Sequence, residues 1–186
     1  MINIADELKN ALTSIVSGVG DVLSTTQKVA RDSVVNALKG VSDVATAGAQ
    51  AIDEVVDTGI TAISSIGTSF ADGITGLVRG AVDGAKDVGV STTQAAEEAA
   101  STAVKSTSRV GGDIGEAAVS AVRGSIQAAG DIGGDSGELA KNAVLGTIKA
   151  ADQIGSEAGS LVRKALLNAA ALPHDIIDAL LKGKTE

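Results

Sequence analysis

The feature that most constrains this chain is an internal repeat of 22 residues, which aligns without insertion from residue 11 to residue 186. Self-similarity at such a period predicts one structural unit used repeatedly. We divide the chain into a lead-in at residues 1–10, seven tandem repeats at 11–164 and a divergent eighth repeat at 165–186. Positions are counted within units, which begin at residues 11, 33, 55, 77, 99, 121, 143 and 165. Position 12 is always β-branched: Val22, Val44, Ile66, Val88, Val110, Ile132, Ile154 and Ile176.

The spacing of apolar residues within the unit predicts an α-helix. Small or apolar side chains prevail at positions 1, 2, 5, 6 and 9, and again at 12, 13, 16, 17 and 20, so each unit divides into two elevens. Intervals of three and four place these residues on one helix face. A parallel β-helix can have coils of similar length, but its residues would alternate, and alanine, the best helix former, is abundant here. The predicted fold class is therefore all-α.

Eleven residues in three turns give about 3.67 residues per turn, which predicts right-handed or nearly straight coiled-coil packing. This pattern over residues 11–164 resembles hendecad-repeat helical proteins, a broad class of right-handed coiled coils, late-embryogenesis-abundant-like proteins and apolipoprotein-like lipid coats. The resemblance implies long amphipathic helices that associate with each other or with lipid. The chain departs from two of these groups, because apolipoprotein-like coats usually carry aromatic residues and prolines between units, and desiccation proteins are usually more charged.

The glycines allow two interpretations. Position 13 holds Gly67, Gly89, Gly111, Gly133 and Gly155, and position 17 holds Gly115, Gly137 and Gly159. In the first interpretation, glycine permits close approach of a partner helix. In the second, glycine ends each helix and a residue such as Asp135 begins the next, which gives helices of about 16 residues folded back and forth. The gapless register favours the first, with continuous helices reaching roughly 280 Å if uninterrupted.

The single proline, Pro173, predicts a kink followed by a short helix from about His174 to Lys182. Proline breaks a helix interior but suits a first turn. The apolar face of this helix would consist of Ile176, Ile177, Leu180 and Leu181. Such a helix is either a cap on the repeats or a docking element for end-to-end assembly.

Composition argues against several function classes. The net charge is −8, both signs are spread along the chain, and Phe70 is the sole aromatic residue, so we predict no nucleic-acid partner. Cysteine is absent and His174 is the only histidine. The neighbouring carboxylates Asp53/Glu54 and Glu97/Glu98 would point apart on a helix. We therefore predict no catalytic residue, no cofactor and no metal site, and we expect a protein that is not an enzyme.

The sequence gives little information about location. The first ten residues lack a basic segment followed by an apolar core, so a signal peptide is not expected. No stretch reaches 18 uncharged apolar residues, so a transmembrane helix is not expected either. The default expectation is a cytoplasmic protein or one peripheral to a membrane.

We predict a structural protein that self-assembles through Gly, Ala and Val helix faces into an oligomer or filament, so that its partner is itself. The alternatives are an amphipathic coat on a membrane, lipid or storage-granule surface, and a desiccation-type protectant. The predicted assembly interface is Val22, Val44, Ile66, Val88, Val110, Ile132, Ile154, Ile126, Ile148, Gly111, Gly115, Gly133, Gly137, Gly155 and Gly159.

Overall fold

The computed structural model describes residues 4–16, 21–67 and 69–182, which form nine α-helices and no strand. The all-α prediction is confirmed. Repeat positions at 17–20, 68 and 183–186, and residues 1–3 of the lead-in, lie outside the described residues. The helices are α1 (Ile4–Val16), α2 (Val22–Leu38), α3 (Val44–Ile66), α4 (Phe70–Asp87), α5 (Thr92–Arg109), α6 (Ile114–Ile132), α7 (Ser136–Ile154), α8 (Ser156–Asn168) and α9 (His174–Lys182).

The preference for long continuous helices is wrong, because the longest described helix, α3, has 23 residues. After α4, α5 and α6 the chain reverses at Gly89, Gly111 and Gly133, whose φ angles of 80°, 75° and 66° lie in the left-handed region. Glycine takes this conformation without the steric cost that other residues incur. The following backbone N–H reaches back over the last turn, as from Gly134 to the Ala129 carbonyl at 2.9 Å. Helices α4 to α7 begin 22 residues apart, at Phe70, Thr92, Ile114 and Ser136, so a turn fits inside each unit and a gapless register does not exclude turns.

The helices begin at capping side chains. The Asp113 carboxylate accepts a hydrogen bond from the Glu116 backbone N–H at 3.0 Å, and Asp135 accepts from Gly137 and Glu138 at 2.9 and 3.0 Å. Asp21, Asp43 and Ser91 cap α2, α3 and α5 similarly. Each cap satisfies backbone donors that have no partner within the helix. The helix start at Asp135 belongs to the second interpretation of the glycines, which the sequence did not favour and which agrees with this cap.

The helices form two layers. Among the described residues, backbones approach within 8 Å only between helices that are one or two places apart in the chain. The odd-numbered helices therefore stack in one layer and the even-numbered helices in the other, with neighbours in a layer running parallel. An arrangement in which each element contacts its near neighbours is typical of repeat proteins. We call it the two-layer array, and we call the contact between helices two places apart a seam.

The core lies between the two layers. Position 2 is fully buried in every helix from α2 to α8, at Val34, Val56, Val78, Ala100, Val122, Val144 and Leu166. Position 6 is buried at Leu38, Ile60, Val82, Val104 and Ile148. Burial of one Val, Leu or Ile side chain stabilises a fold by roughly 1.5–3 kcal/mol. The apolar face that the repeat predicted is thus buried within the chain.

Glycine brings the parallel helices of a seam together at position 4. A Cβ atom at Gly80 of α4 would overlap the Gln27 carbonyl oxygen of α2, and one at Gly146 of α7 would overlap the Glu97 carbonyl oxygen of α5. At Gly124 of α6 it would lie 2.6 Å from the Thr75 carbonyl oxygen of α4. Only a residue without a side chain allows backbones to pack this closely.

The short last helix, α9, has the bounds predicted from Pro173. It contacts α7 and α8, and its Ile177 side chain is fully buried. The Ile176 Cδ1 atom would lie 3.4 Å from a Cβ atom placed at Gly137, in the first turn of α7. The helix therefore lies over the beginning of α7.

Candidate assembly surfaces

The predicted interface at position 12 is distributed over helix ends. Val22 and Val44 begin helices, Ile66, Ile132 and Ile154 end them, and Val88 and Val110 directly follow α4 and α5. Most are half-buried, whereas Val110 and Ile154 are 37% and 42% exposed. The column therefore does not form one continuous stripe on the outside of the array. Its role in assembly stays a prediction.

The predicted glycines divide into two structural groups. Gly111 and Gly133 are exposed turn residues, and Gly155 separates α7 from α8. Gly115, Gly137 and Gly159 lie near helix starts and face other parts of the same chain. A Cβ atom at Gly115, for example, would lie 3.0 Å from the Ala165 Cβ atom of α8. The two remaining predicted residues, Ile126 and Ile148, are half-buried and buried, respectively.

Three glycines of α4 are absent from the predicted interface although they form the closest described helix packing. Gly76, Gly80 and Gly84 recur every four residues and all face backbone carbonyls of α2. A Cβ atom at Gly76 would lie 2.5 Å from the Leu23 carbonyl oxygen, and one at Gly84 2.9 Å from that of Arg31. The four-residue spacing is visible in the sequence, but it does not reveal which helix is the partner.

Side chains of the even layer are linked across its seams. Gln27 of α2 donates to Asp83 of α4 at 2.7 Å and to Asp131 of α6 at 3.3 Å. Arg79 donates to both carboxylate oxygens of Asp131, at 2.6 and 2.8 Å. This hydrogen bond from Arg79 lowers the pKa of the Asp131 carboxyl. Arg31 and Asp87 form a further pair between α2 and α4 at 2.6 Å.

Asp83 is the most enclosed of these groups, with 7% of the residue exposed. Its Oδ1 atom is buried without a hydrogen-bond partner. Burial raises the pKa of the Asp83 carboxyl, and the hydrogen bond from Gln27 partly opposes this shift.

Odd-layer seams combine hydroxyls with carboxylates. Thr102 of α5 donates to Asp53 of α3 at 2.5 Å, and Ser106 donates to Asp57 at 2.6 Å. Arg109 also donates to Asp57. Between α5 and α7, the Lys149 Nζ atom lies 3.7 Å from a carboxylate oxygen of Glu97.

A cleft of about 260 Å³ lies between α3 and α5. Ala49, Ile52 and Ala95 contribute apolar lining, and Glu97 and Glu98 contribute carboxylates. Burial, followed by the negative charge of Asp53, raises the pKa of Glu98. Throughout the part of the chain that the structure describes, no three His, Cys, Asp or Glu residues are arranged to hold a metal ion. The cleft brings together two like carboxylates, which does not by itself assemble the unlike groups that catalysis requires.

At one end of the array, α1 and α2 enclose a groove of about 300 Å³. Val29, Asp32 and Asn36 line it from the side of α2 that points away from the α4 seam. Glu7 and Ala11 line it from α1. We call these five residues the head groove. Its rim is acidic and its floor is apolar.

At the other end, α7 and α8 expose leucines at position 3. Leu145 is 39% exposed and Leu167 is 37% exposed. In α3 and α4 the same position holds Asp57 and Arg79, which pair with the helix two places later. Lys141, one turn before Leu145 on α7, is also exposed. We call Lys141, Leu145 and Leu167 the tail surface.

The exposed large apolar side chains of the described segments all lie between residues 110 and 167. Ile154 and Leu161, which is 51% exposed, line an open groove of about 410 Å³ together with Ile114.

Comparison with protein-family models, curated proteins and solved structures finds no match to this chain. Across residues 4–16, 21–67 and 69–182, none of the helices has the length and apolar character needed to cross a membrane.

Proposed function

We propose that this chain is a non-enzymatic structural protein that associates with further copies of itself into an oligomer or filament. The observation that carries this proposal is the exposure of Leu145 and Leu167 at an end of the two-layer array. In α3 and α4, the position 3 residues Asp57 and Arg79 contact the next helix of the layer, so exposed leucines at this position favour a further helix as partner. Extended repeat arrays commonly present surfaces for such association.

The arrangement of charge supports a structural role. Arg79, Asp57 and Arg31 are engaged in pairs that join successive helices. Exposed ion pairs contribute little energy individually, with a median of about 0–1 kcal/mol, but they fix register and orientation. Charges used in this manner align helices and do not converge on a substrate.

A lipid or granule coat is the second candidate, favoured by the exposure of Ile154, Leu161 and Leu167. Two observations weaken it. The broad apolar face of the repeat is buried between the layers, and helices that lie in a membrane interface usually have a Lys-rich polar face and aromatic anchors. Flotation with anionic and neutral liposomes tests this candidate, and co-flotation of the folded protein would support it over self-association.

Sedimentation velocity from micromolar to millimolar concentration tests the proposal, with electron microscopy of the most concentrated sample. We expect a mass that rises with concentration above the 18.2 kDa of one chain. A monomer at every concentration would overturn self-association. Circular dichroism in dilute buffer tests the protectant alternative, because a chain that folds only on drying would lack helix there.

A further inference from the structure

We propose that copies associate head to tail, with the tail surface of one copy seated in the head groove of the next. This inference rests on the proposed self-association and names the two surfaces that carry it. The groove contributes Glu7, Asp32 and Asn36 over a floor of Ala11 and Val29. The tail contributes Lys141, Leu145 and Leu167.

The head groove has the form of an unfilled helix site. Within the array, a helix receives its neighbours through α2 residues such as Gln27 and Arg31 on one side. Val29, Asp32 and Asn36 lie largely on the opposite side of α2, given 100° per residue. A helix bound between α1 and α2 would therefore lie on the side of α2 opposite α4 and extend the even layer outward. The half-buried Ala11 and Val29 supply apolar contact area for it.

The tail surface offers side chains at positions that the array itself uses for helix stacking. Position 21 pairs with the next helix of its layer at Arg31 and Glu97. Position 21 of α7 is the exposed Lys141, and positions 3 of α7 and α8 are Leu145 and Leu167. The short α9 lies over the beginning of α7, since its Ile176 faces Gly137. It leaves Leu145 uncovered.

Charge complementarity selects the head groove as the occupied surface. Both acidic side chains of the groove, Glu7 and Asp32, are exposed, and so is Lys141 of the tail. Other basic side chains are engaged within the chain, since Arg31 pairs with Asp87 and Arg79 pairs with Asp131 across the seams of the even layer. A tail-to-tail contact would instead bring two copies of Lys141 toward each other, and like charges oppose association. A contact between two different surfaces leaves each copy with one free surface, so it propagates into an open filament unless it closes as a ring.

Two blocked variants test the inference. The tail-blocked variant carries Leu145→Ser and Leu167→Ser, and the head-blocked variant carries Glu7→Lys and Asp32→Lys. We expect each variant to be monomeric alone at concentrations where the unchanged protein associates. Mixed in equal amounts, they should form one discrete dimer, because one free tail meets one free head. Glu7 and Asp32 are exposed, and substitutions of such residues usually alter stability by no more than about 0.5 kcal/mol. Leu145 and Leu167 are partly covered, so the tail-blocked variant should be somewhat less stable than the head-blocked variant.

Leu161→Ser is the matched control, since Leu161 is more exposed than Leu145 or Leu167 but lies outside the tail surface. It should associate as the unchanged protein does. A charge-reversal pair adds a second readout: Lys141→Glu should weaken association at least tenfold, and mixing it with Asp32→Lys should restore binding. Circular dichroism and thermal unfolding establish that each variant is folded.

The outcomes separate this inference from the proposed function. An unchanged protein that stays monomeric overturns both. Should the unchanged protein associate while the head-blocked variant also associates alone, tail-to-tail contact replaces the head-to-tail arrangement and self-association stands. Undiminished association of the tail-blocked variant would likewise overturn the inference alone, as would loss of association in Leu161→Ser to the same extent.

Discussion

The seam between α2 and α4 and the seam between α3 and α5 solve one packing problem differently. Position 4 faces the preceding helix of the layer in both. In α4 this position is Gly80, and the backbone carbonyl of Gln27 occupies the space that a side chain at Gly80 would fill. It is Thr102 in α5, where the hydroxyl donates to Asp53. One seam is held by direct backbone packing and the other by a side-chain hydrogen bond, although the repeat position is the same.

The two solutions enclose their carboxylates to different degrees. Beside the glycine seam, Asp83 is almost fully buried and has one oxygen without a partner. Beside the threonine seam, a cleft of about 260 Å³ opens and Glu98 stays half-buried. A larger side chain at position 4 therefore coincides with a more open seam. The residue at one position of the repeat thus accompanies how tightly a layer closes at that seam.

The largest effect is expected from Gly80→Ala. The added methyl group would overlap the Gln27 carbonyl and approach the Ala30 Cβ atom to 2.9 Å, so α2 and α4 must separate. Overpacking of this kind destabilises by about 3 kcal/mol. Urea unfolding followed by circular dichroism measures the loss. A loss below about 1 kcal/mol would mean that α2 and α4 separate easily, and that the glycine seam is no more sensitive to substitution than the threonine seam.

A smaller effect is expected from Thr102→Val, which keeps the shape of the side chain and removes its hydrogen bond to Asp53. Because Asp53 is exposed and can bind water instead, the loss should be about 1 kcal/mol. A double-mutant cycle with Asp53→Asn isolates the pair. If Thr102→Val destabilised the protein as much as Gly80→Ala, the two seams would be equally sensitive to substitution at position 4.

The pH dependence of stability should distinguish the carboxylates of the glycine seam. Burial raises the pKa of Asp83 in the folded state, so its contribution to stability is full below its ordinary value of about 3.9 and is lost as the pH rises through the folded-state pKa. Asp83→Asn stays neutral and should remove this loss, so that its free energy of unfolding at neutral pH should exceed that of the unchanged protein. Urea unfolding between pH 4 and pH 7 measures it.

Asp131→Asn is the control for that experiment, because the sign is reversed. The hydrogen bond from Arg79 lowers the pKa of Asp131, so its contribution is present above the ordinary value and is lost as the pH falls through the folded-state pKa. Its replacement should therefore reduce stability at neutral pH. Parallel pH profiles for the two variants would contradict the assignment.

The smallest effect is expected from Gly130→Ala, which should raise the free energy of unfolding, whereas Gly80→Ala should lower it. Gly130 lies in the last turns of α6, and a Cβ atom there would meet nothing within 4 Å. Alanine should stabilise the helix by about 0.5–1 kcal/mol, because it restricts the unfolded chain without a clash. Thermal unfolding detects the change. Destabilisation by Gly130→Ala would show that glycine is required in α6 for a reason other than seam contact.

Much of the fold could be predicted from the sequence, because it depends on local signals. The four-residue spacing of apolar residues such as Val34 and Leu38 predicted the buried helix face, and Pro173 predicted α9. The turn at Gly111 was wrongly interpreted as a site of close packing, because glycine suits both close packing and a left-handed turn. The residue type alone does not reveal which of the two backbone conformations is adopted.

The contacts across the seams could not be predicted from the sequence, because they join residues that are far apart in the chain. Gly80 matters because the Gln27 carbonyl lies opposite it, 53 residues earlier in the chain. The register between α2 and α4 depends on the length and packing of α3 and of the loops that connect it to both helices. The candidate surfaces are equally conditional, since the exposure of Leu145 depends on which part of α7 its neighbouring helices cover.

The restriction of backbone contacts to helices one or two places apart also has a consequence for folding kinetics. Every native contact of this kind closes a modest loop, so the entropy lost before a contact forms is small and the contact order is low. Helices can form and dock in succession from any nucleus within the chain. Outer helices, with neighbours on one side only, should open first and exchange their amide protons fastest. A second copy bound at either end would slow that opening, so association would extend the cooperative unit beyond a single chain.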